Sequence, residues 1–129
     1  VPEHPLEDIK ISDVVIKQAG GGDAAMAARI PEEREAAYPD PEMFGALPAT
    51  GLFARHVRNL EISNFEVAVR TPDARPAFWL HDVDGADFFR VRTPQASPAF
   101  DLRTCRRFRS FGSAQHDDIK LEEAAVRKI

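Results

Sequence analysis

The chain has 129 residues, of which 43% are hydrophobic, and a net charge of −4. It is long enough to bury a real core and too apolar for a disordered tail. The acidic balance argues against nucleic acid as a partner, and no run is apolar enough to cross a membrane as a helix.

Residues 1–5 read as an extended, proline-bounded entry. The chain does not begin with methionine and shows no signal peptide, and the first repeat starts almost at once. Solenoids need capped ends. The expectation is therefore a processed chain or fragment whose preceding coils are missing.

The first coil is Leu6 to Lys17. Within it, Ile9-Lys10-Ile11-Ser12-Asp13-Val14-Val15-Ile16 alternates apolar and polar as a strand does. Ala19-Gly20-Gly21-Gly22 then lets the backbone turn freely. An insertion follows, about 19–50 counted with those glycines. Asp23 is placed to cap a helix through Ala24 to Arg29, and Pro31 to open a second one. The prolines of Tyr38-Pro39-Asp40-Pro41-Glu42-Met43-Phe44-Gly45 forbid regular helix or central strand there. An insertion of this kind either serves a binding face or covers apolar surface.

The second coil, Gly51 to Val69, carries the pattern in its cleanest form: Leu60-Glu61-Ile62-Ser63-Asn64-Phe65-Glu66-Val67. Its parity changes across Ser63-Asn64, which predicts a bend between two short strands. A turn over residues 71–76 leads to the third coil, Ala77 to Arg92, with Ala86-Asp87-Phe88-Phe89-Arg90-Val91. A second turn leads to the fourth coil, Ala99 to Ser113, with Phe108-Arg109-Ser110-Phe111.

Ile9 to Leu60 is a step of 51, Leu60 to Ala86 one of 26 and Ala86 to Phe108 one of 22. The last two are single coils of a solenoid; the first is one coil plus the insertion. Stacking the copies gives rows: Leu6, Val57, Val83 and Cys105; Ile9, Leu60, Ala86 and Phe108; Ile11, Ile62, Phe88 and Ser110; Val14, Phe65, Val91 and Ser113. An earlier strand adds Leu52 and Ala54, Phe78 and Leu80, Phe100 and Leu102. The fold expected is all-β, a right-handed parallel β-helix of about four coils; a β-sandwich of short strands is the alternative. In the tail, 114–129, Leu121, Ala125 and Ile129 are spaced for one helical face, a segment that either caps the open end of the stack or trails off.

Few residues carry a chemical signal by themselves. The one cysteine, Cys105, falls in an inward row, as a packed thiol rather than a nucleophile. The arginines at 103, 106, 107 and 109 read as solvated positions on the last coil. His56, His81 and Asp82 lack the spacing of a zinc site, so neither metal nor other cofactor is expected.

Leu6-Glu7-Asp8-Ile9-Lys10-Ile11-Ser12-Asp13-Val14 with Gly20-Gly21-Gly22 resembles the later coils of glycoside hydrolase family 28, the polygalacturonase-like enzymes. Residues 38–45, Leu47-Pro48-Ala49, Arg55-His56-Val57, Arg75-Pro76-Ala77-Phe78 and residues 82–89 resemble a bacterial subgroup of it. The resemblance implies a right-handed parallel β-helix, hydrolysis in an acidic, pectin-type polysaccharide, a secreted or periplasmic protein and no cofactor. The family's Asn-Thr-Asp, Asp-Asp, Gly-His-Gly and Arg-Ile-Lys motifs have no counterpart in the right setting here. Inverting hydrolysis needs carboxylates on both sides of the scissile bond. No catalytic residue is carried over, and the chain corresponds to the end of the helix and part of its groove. A non-catalytic carbohydrate-binding or structural module is the alternative.

In that family the catalytic aspartates sit at outward positions of the strand before the row of Val57. The outward positions here are Phe53 and Arg55, Trp79 and His81, Asp101 and Arg103. Phe53 and Trp79 are candidates to stack on sugar rings, and Arg55 and His56 to pair with a uronate carboxylate, with His81 beside them. The alternative is that Phe53 and Trp79 pack beneath the insertion.

Overall fold

The computed structural model describes residues 3–33 and 45–129. Its elements are β1 (Leu6–Gly20), α1 (Ala24–Ala28), β2 (Leu52–Thr71), β3 (Phe78–Arg92), β4 (Phe100–Phe111) and β5 (Ile119–Lys128). The five strands form one sheet in sequence order. The first three pairings are parallel and β4–β5 is antiparallel. The all-β expectation with parallel pairing therefore holds.

The register follows the repeat. Leu6 lies beside Val57, Val57 beside Val83 and Val83 beside Cys105; Ile11, Ile62, Phe88 and Ser110 form a second row. A slip of one residue would turn the alternating apolar side chains out of the core.

These long strands are not straight. Three rows of residues have left-handed backbone, and each row breaks the ladder. His56, Asp82 and Thr104 make the first row; Asp8, Asn59, Gly85 and Arg107 the second; Asp13, Asn64, Arg90 and Gly112 the third. Each bend reverses the inward parity, which is why apolar residues sit at 57 and 60, then at 62 and 65. The expected bend at Ser63-Asn64 is centred on Asn64, with φ 51°. Asp and Asn tolerate this conformation best among non-glycine residues. They also link neighbouring strands, Asn59 Nδ2 donating to Asp8 Oδ1 at 2.7 Å and Asn64 Nδ2 to Asp13 Oδ1 at 3.2 Å.

The bends curl the sheet around its own core. Ten extended residues would span roughly 33 Å, yet the rings of Phe78 and Phe88, both on β3, meet edge to face at 4.9 Å. Phe100 closes the cluster, 5.4 Å from Phe78, 5.0 Å from Phe88 and 5.0 Å from Phe108. Cys105 is buried in this core with its sulfur near the Leu80 carbonyl, and burial pushes the thiol pKa up. It is a packed thiol, as its row implies.

Two expectations need correction. The tail is not a helix: residues 119–128 pair with β4 as β5. The free edge of β4 offers unpaired backbone groups, and strand pairing satisfies them where a lone helix would not. Leu121 lies opposite Phe108 and the buried Ala124 opposite Cys105, so the spacing of three mirrors the bend at Arg107; Ala125 is exposed. Nor does Pro31 open a helix, because residues 31–33 are irregular. The Tyr-Pro stretch up to Phe44 lies outside the described residues. Asp23 caps α1 as expected, its Oδ1 accepting from Met26 N at 2.9 Å.

The insertion is fastened by a buried ion pair. Asp73 accepts from Gly22 N at 2.9 Å and from Arg75 Nε and Nη2 at 2.9 and 2.7 Å, while Arg75 Nη1 donates to the Leu47 carbonyl at 3.3 Å. Arg75 holds the Asp73 pKa at about 2, below its ordinary 3.8, against the opposing effect of burial; the Arg75 and Gly22 backbone N–H groups add to the depression. A carboxyl group depressed on folding stabilises fully above its unfolded pKa and loses that contribution as pH falls through the folded value. Acid titration of stability should therefore show a loss of about 2 kcal/mol between roughly pH 4 and pH 2 that is absent in Asp73→Asn. Identical acid dependence in both proteins would refute this role.

Candidate functional site

The first row of bends and the straight segments before it bring the sequence candidates to one outer face of the sheet. At the centre stands His56, buried and left-handed at φ 58°. Its Nδ1 lies 2.7 Å from Asp82 Oδ2 and its Nε2 lies 2.5 Å from Glu33 Oε1. A doubly protonated ring donates to both carboxylates; a neutral ring donates to one. His56 and Asp82 are neighbours because they occupy the same row on the adjacent parallel strands β2 and β3. Glu33 comes from the insertion.

Arg55 is spent on the same contact. It donates to the Pro31 carbonyl at 2.6 Å and to the Glu32 carbonyl at 3.2 Å, and its Nε lies 3.1 Å from Glu33 Oε1. Its guanidinium also sits 5.3 Å from the centre of the Phe53 ring. Burial opposes ionisation of Glu33, but the His56 hydrogen bond and the Arg55 and His56 charges hold its carboxyl below the ordinary range. Residues 31–33 thus lie on Arg55 and His56, whose polar groups are already engaged. Neither is open to a uronate in this arrangement, which corrects the expectation from the sequence.

Trp79 is likewise corrected. It is fully buried, stacked on Phe53 at 4.7 Å with planes 12° apart, edge-on to His81 at 5.6 Å and capped by the Arg103 guanidinium at 5.6 Å. It has no free face for a sugar. Its outward strand position is enclosed by its neighbours on the same face, Phe53, His81 and Arg103. Phe53 is half-buried within the same stack. His81 lies 6.1 Å from His56; burial first, then His56 and Arg55, push its pKa down, and its Nδ1 has no partner among the described residues.

Asp101, next in the row after Trp79, is fully buried and bound by Arg103 at 3.2 Å. A carboxylate so enclosed cannot meet a polymer. Two further arginines of β4 are paired at the surface, Arg107 with Asp84 at 2.8 Å and Arg109 with Asp87 at 2.8 and 2.9 Å. Exposed pairs of this kind add little stability.

Among the described residues, no group of three or more His, Cys, Asp or Glu is arranged to hold a metal ion, and no helix is long and apolar enough to cross a membrane. Comparison with family models, with curated proteins and with solved structures finds no match.

Proposed function

We propose that the chain is the carboxyl-terminal part of a right-handed parallel β-helix, in a glycoside hydrolase that acts on acidic, pectin-type polysaccharide. The observation that carries this reading is the triple row of left-handed bends. Its three bends recur in the second, third and fourth coils, two of them already in the first, and the copies stack at the steps of 26 and 22 residues. The resemblance of residues 6–22 and 38–89 to family 28 supplies the reaction class. The catalytic carboxylates belong to coils upstream of β1, whose inward residues Ile9, Ile11, Val14 and Ile16 are only half-buried at the open end of the stack. The protein is on this reading secreted or periplasmic.

The enclosed Asp101 and the engaged Arg55–His56 pair favour a second reading, a β-helix module without chemistry of its own. Reducing-end release from polygalacturonate separates the two. The purified 129-residue chain should release none above a heat-killed control, while a chain extended by its upstream coils should turn over. Hydrolysis by the short chain, lost on mutating one of its own carboxylates, would overturn the assignment of catalysis upstream. An inactive extended chain would leave the module reading.

A further inference from the structure

We infer that the free edge of β1 takes a second copy of this chain, docked antiparallel about a two-fold axis between Ser12 and Asp13. The inference goes beyond the proposed function and does not use it. Upstream coils, where present, take the same edge, so association of this chain and activity of an extended one are read separately. β1 is the first strand of the sheet and pairs only with β2 among the described residues. Its other edge therefore presents a row of unpaired backbone N–H and C=O groups, a template for another strand. The strand runs 15 residues without a proline to block pairing. Its inward residues Ile9, Ile11, Val14 and Ile16 pack on the core but stay half-buried, and Leu6 and Val15 are 64% and 59% exposed. A hollow of about 350 Å³ opens at this end, lined by Leu6, Ile9 and Ile11 of β1 and by Leu52 and Leu60 of β2.

The order of residues along β1 selects a second copy. From Asp8 to Lys17 the strand has the same pattern read in either direction about the Ser12–Asp13 peptide. Antiparallel pairing about that point sets Ile11 against Val14 and Ile9 against Ile16 of the second copy, half-buried apolar on half-buried apolar. It sets Lys10 against Val15, both exposed, and Asp8 against Lys17, carboxylate against ammonium. Lys17 has no ion-pair partner in its own chain among the described residues. Each contact occurs twice by symmetry. A slip of one residue either way puts inward positions opposite outward ones and loses the whole match. The bend fits the same axis. Asp13, at φ 60°, turns the strand between residues 9–11 and 14–16. A two-fold beside that bend lays corner on corner and exchanges the two straight segments, so the apolar rows of one copy run on into those of the other. The far end of the sheet shows that a bent strand here accepts an antiparallel neighbour: β5 pairs with β4, Leu121 opposite Phe108 and Ala124 opposite Cys105.

Sedimentation velocity on the 129-residue chain tests this. The chain should sediment at twice the mass of one copy, with monomer appearing on dilution. Val15→Lys, at an exposed position that folding of one copy does not need, sets like charges against Lys10 at both symmetric places and should weaken the dimer about tenfold. Val15→Glu sets opposite charges there and should leave the dimer as tight or tighter. Mixed Lys10→Cys and Val15→Cys chains should join through a disulfide under oxidised glutathione, while neither variant links to itself. A chain that stays monomeric at every concentration would overturn the inference. So would a dimer that Val15→Lys and Val15→Glu affect alike, since its interface would lie elsewhere.

Discussion

Ile62→Asp should abolish the cooperative unfolding transition of the chain. Ile62 is fully buried in the row between Ile11 and Phe88, and β2 is flanked on both edges by parallel partners. The substitution removes an aliphatic side chain worth about 2 kcal/mol or more on burial and puts a carboxylate in its place. The register offers that carboxylate only Ile11 and Phe88 as lateral neighbours, neither able to donate a hydrogen bond. An unpaired buried charge costs several kcal/mol, and the group takes up a proton to escape it. The combined loss, about 5 kcal/mol or more, matches the whole stability of many domains this size. The sign of its pH dependence is fixed: a pKa raised by folding makes the defect deepen as pH rises through the unfolded carboxyl value. Circular dichroism melts should show no transition at neutral pH and partial recovery near pH 3. Ile62→Val should lose only about 1 kcal/mol. A normal melt for Ile62→Asp at pH 7 would mean that the row is not internal.

The rows were legible because spacing carries them. Once the steps of 51, 26 and 22 are read, every lateral neighbour from Leu6 to Ser110 follows, and so does the contact of His56 with Asp82. Part of the bend pattern was legible as well. Asp8, Asn59 and Gly85, like Asp13, Asn64 and Gly112, are residue types that accept left-handed backbone, at repeat spacing. The row of His56, Asp82 and Thr104 carries no uniform signal, since Thr rarely adopts that conformation and only the stack imposes it.

What failed to show in the sequence depends on a second layer. Alternation tells which face of a strand a residue occupies, not whether that face meets water. Glu33 reaches His56 and Arg55 from an irregular segment whose path has no period to read. The tail misled for another reason. Leu121, Ala125 and Ile129 fit a helix by spacing, but the edge of β4 supplied partners for a strand, and tertiary pairing overrode the local pattern.

Trp79→Ala should cost the chain about 3–5 kcal/mol of stability, and its effect on sugar affinity should be nil once folding is allowed for. Trp79 is the single tryptophan and has no exposed surface. Truncation empties a space walled by Phe53, His81 and the Arg103 guanidinium. It also strips Arg103 of its aromatic neighbour, and Arg103 is what neutralises the enclosed Asp101. Trp79→Phe should be much milder. Phenylalanine keeps a ring for Phe53 to stack on and removes an indole N–H that has no acceptor among the described residues. An unsatisfied buried donor costs about 1–3 kcal/mol, which offsets part of the lost packing and leaves a net loss of about 1–2 kcal/mol. Urea unfolding followed by circular dichroism reads both variants, since fluorescence vanishes with the only indole. A Trp79→Ala protein as stable as the parent, yet weaker for trigalacturonate, would put Trp79 back on an open groove and take Phe53, Arg55 and His56 with it.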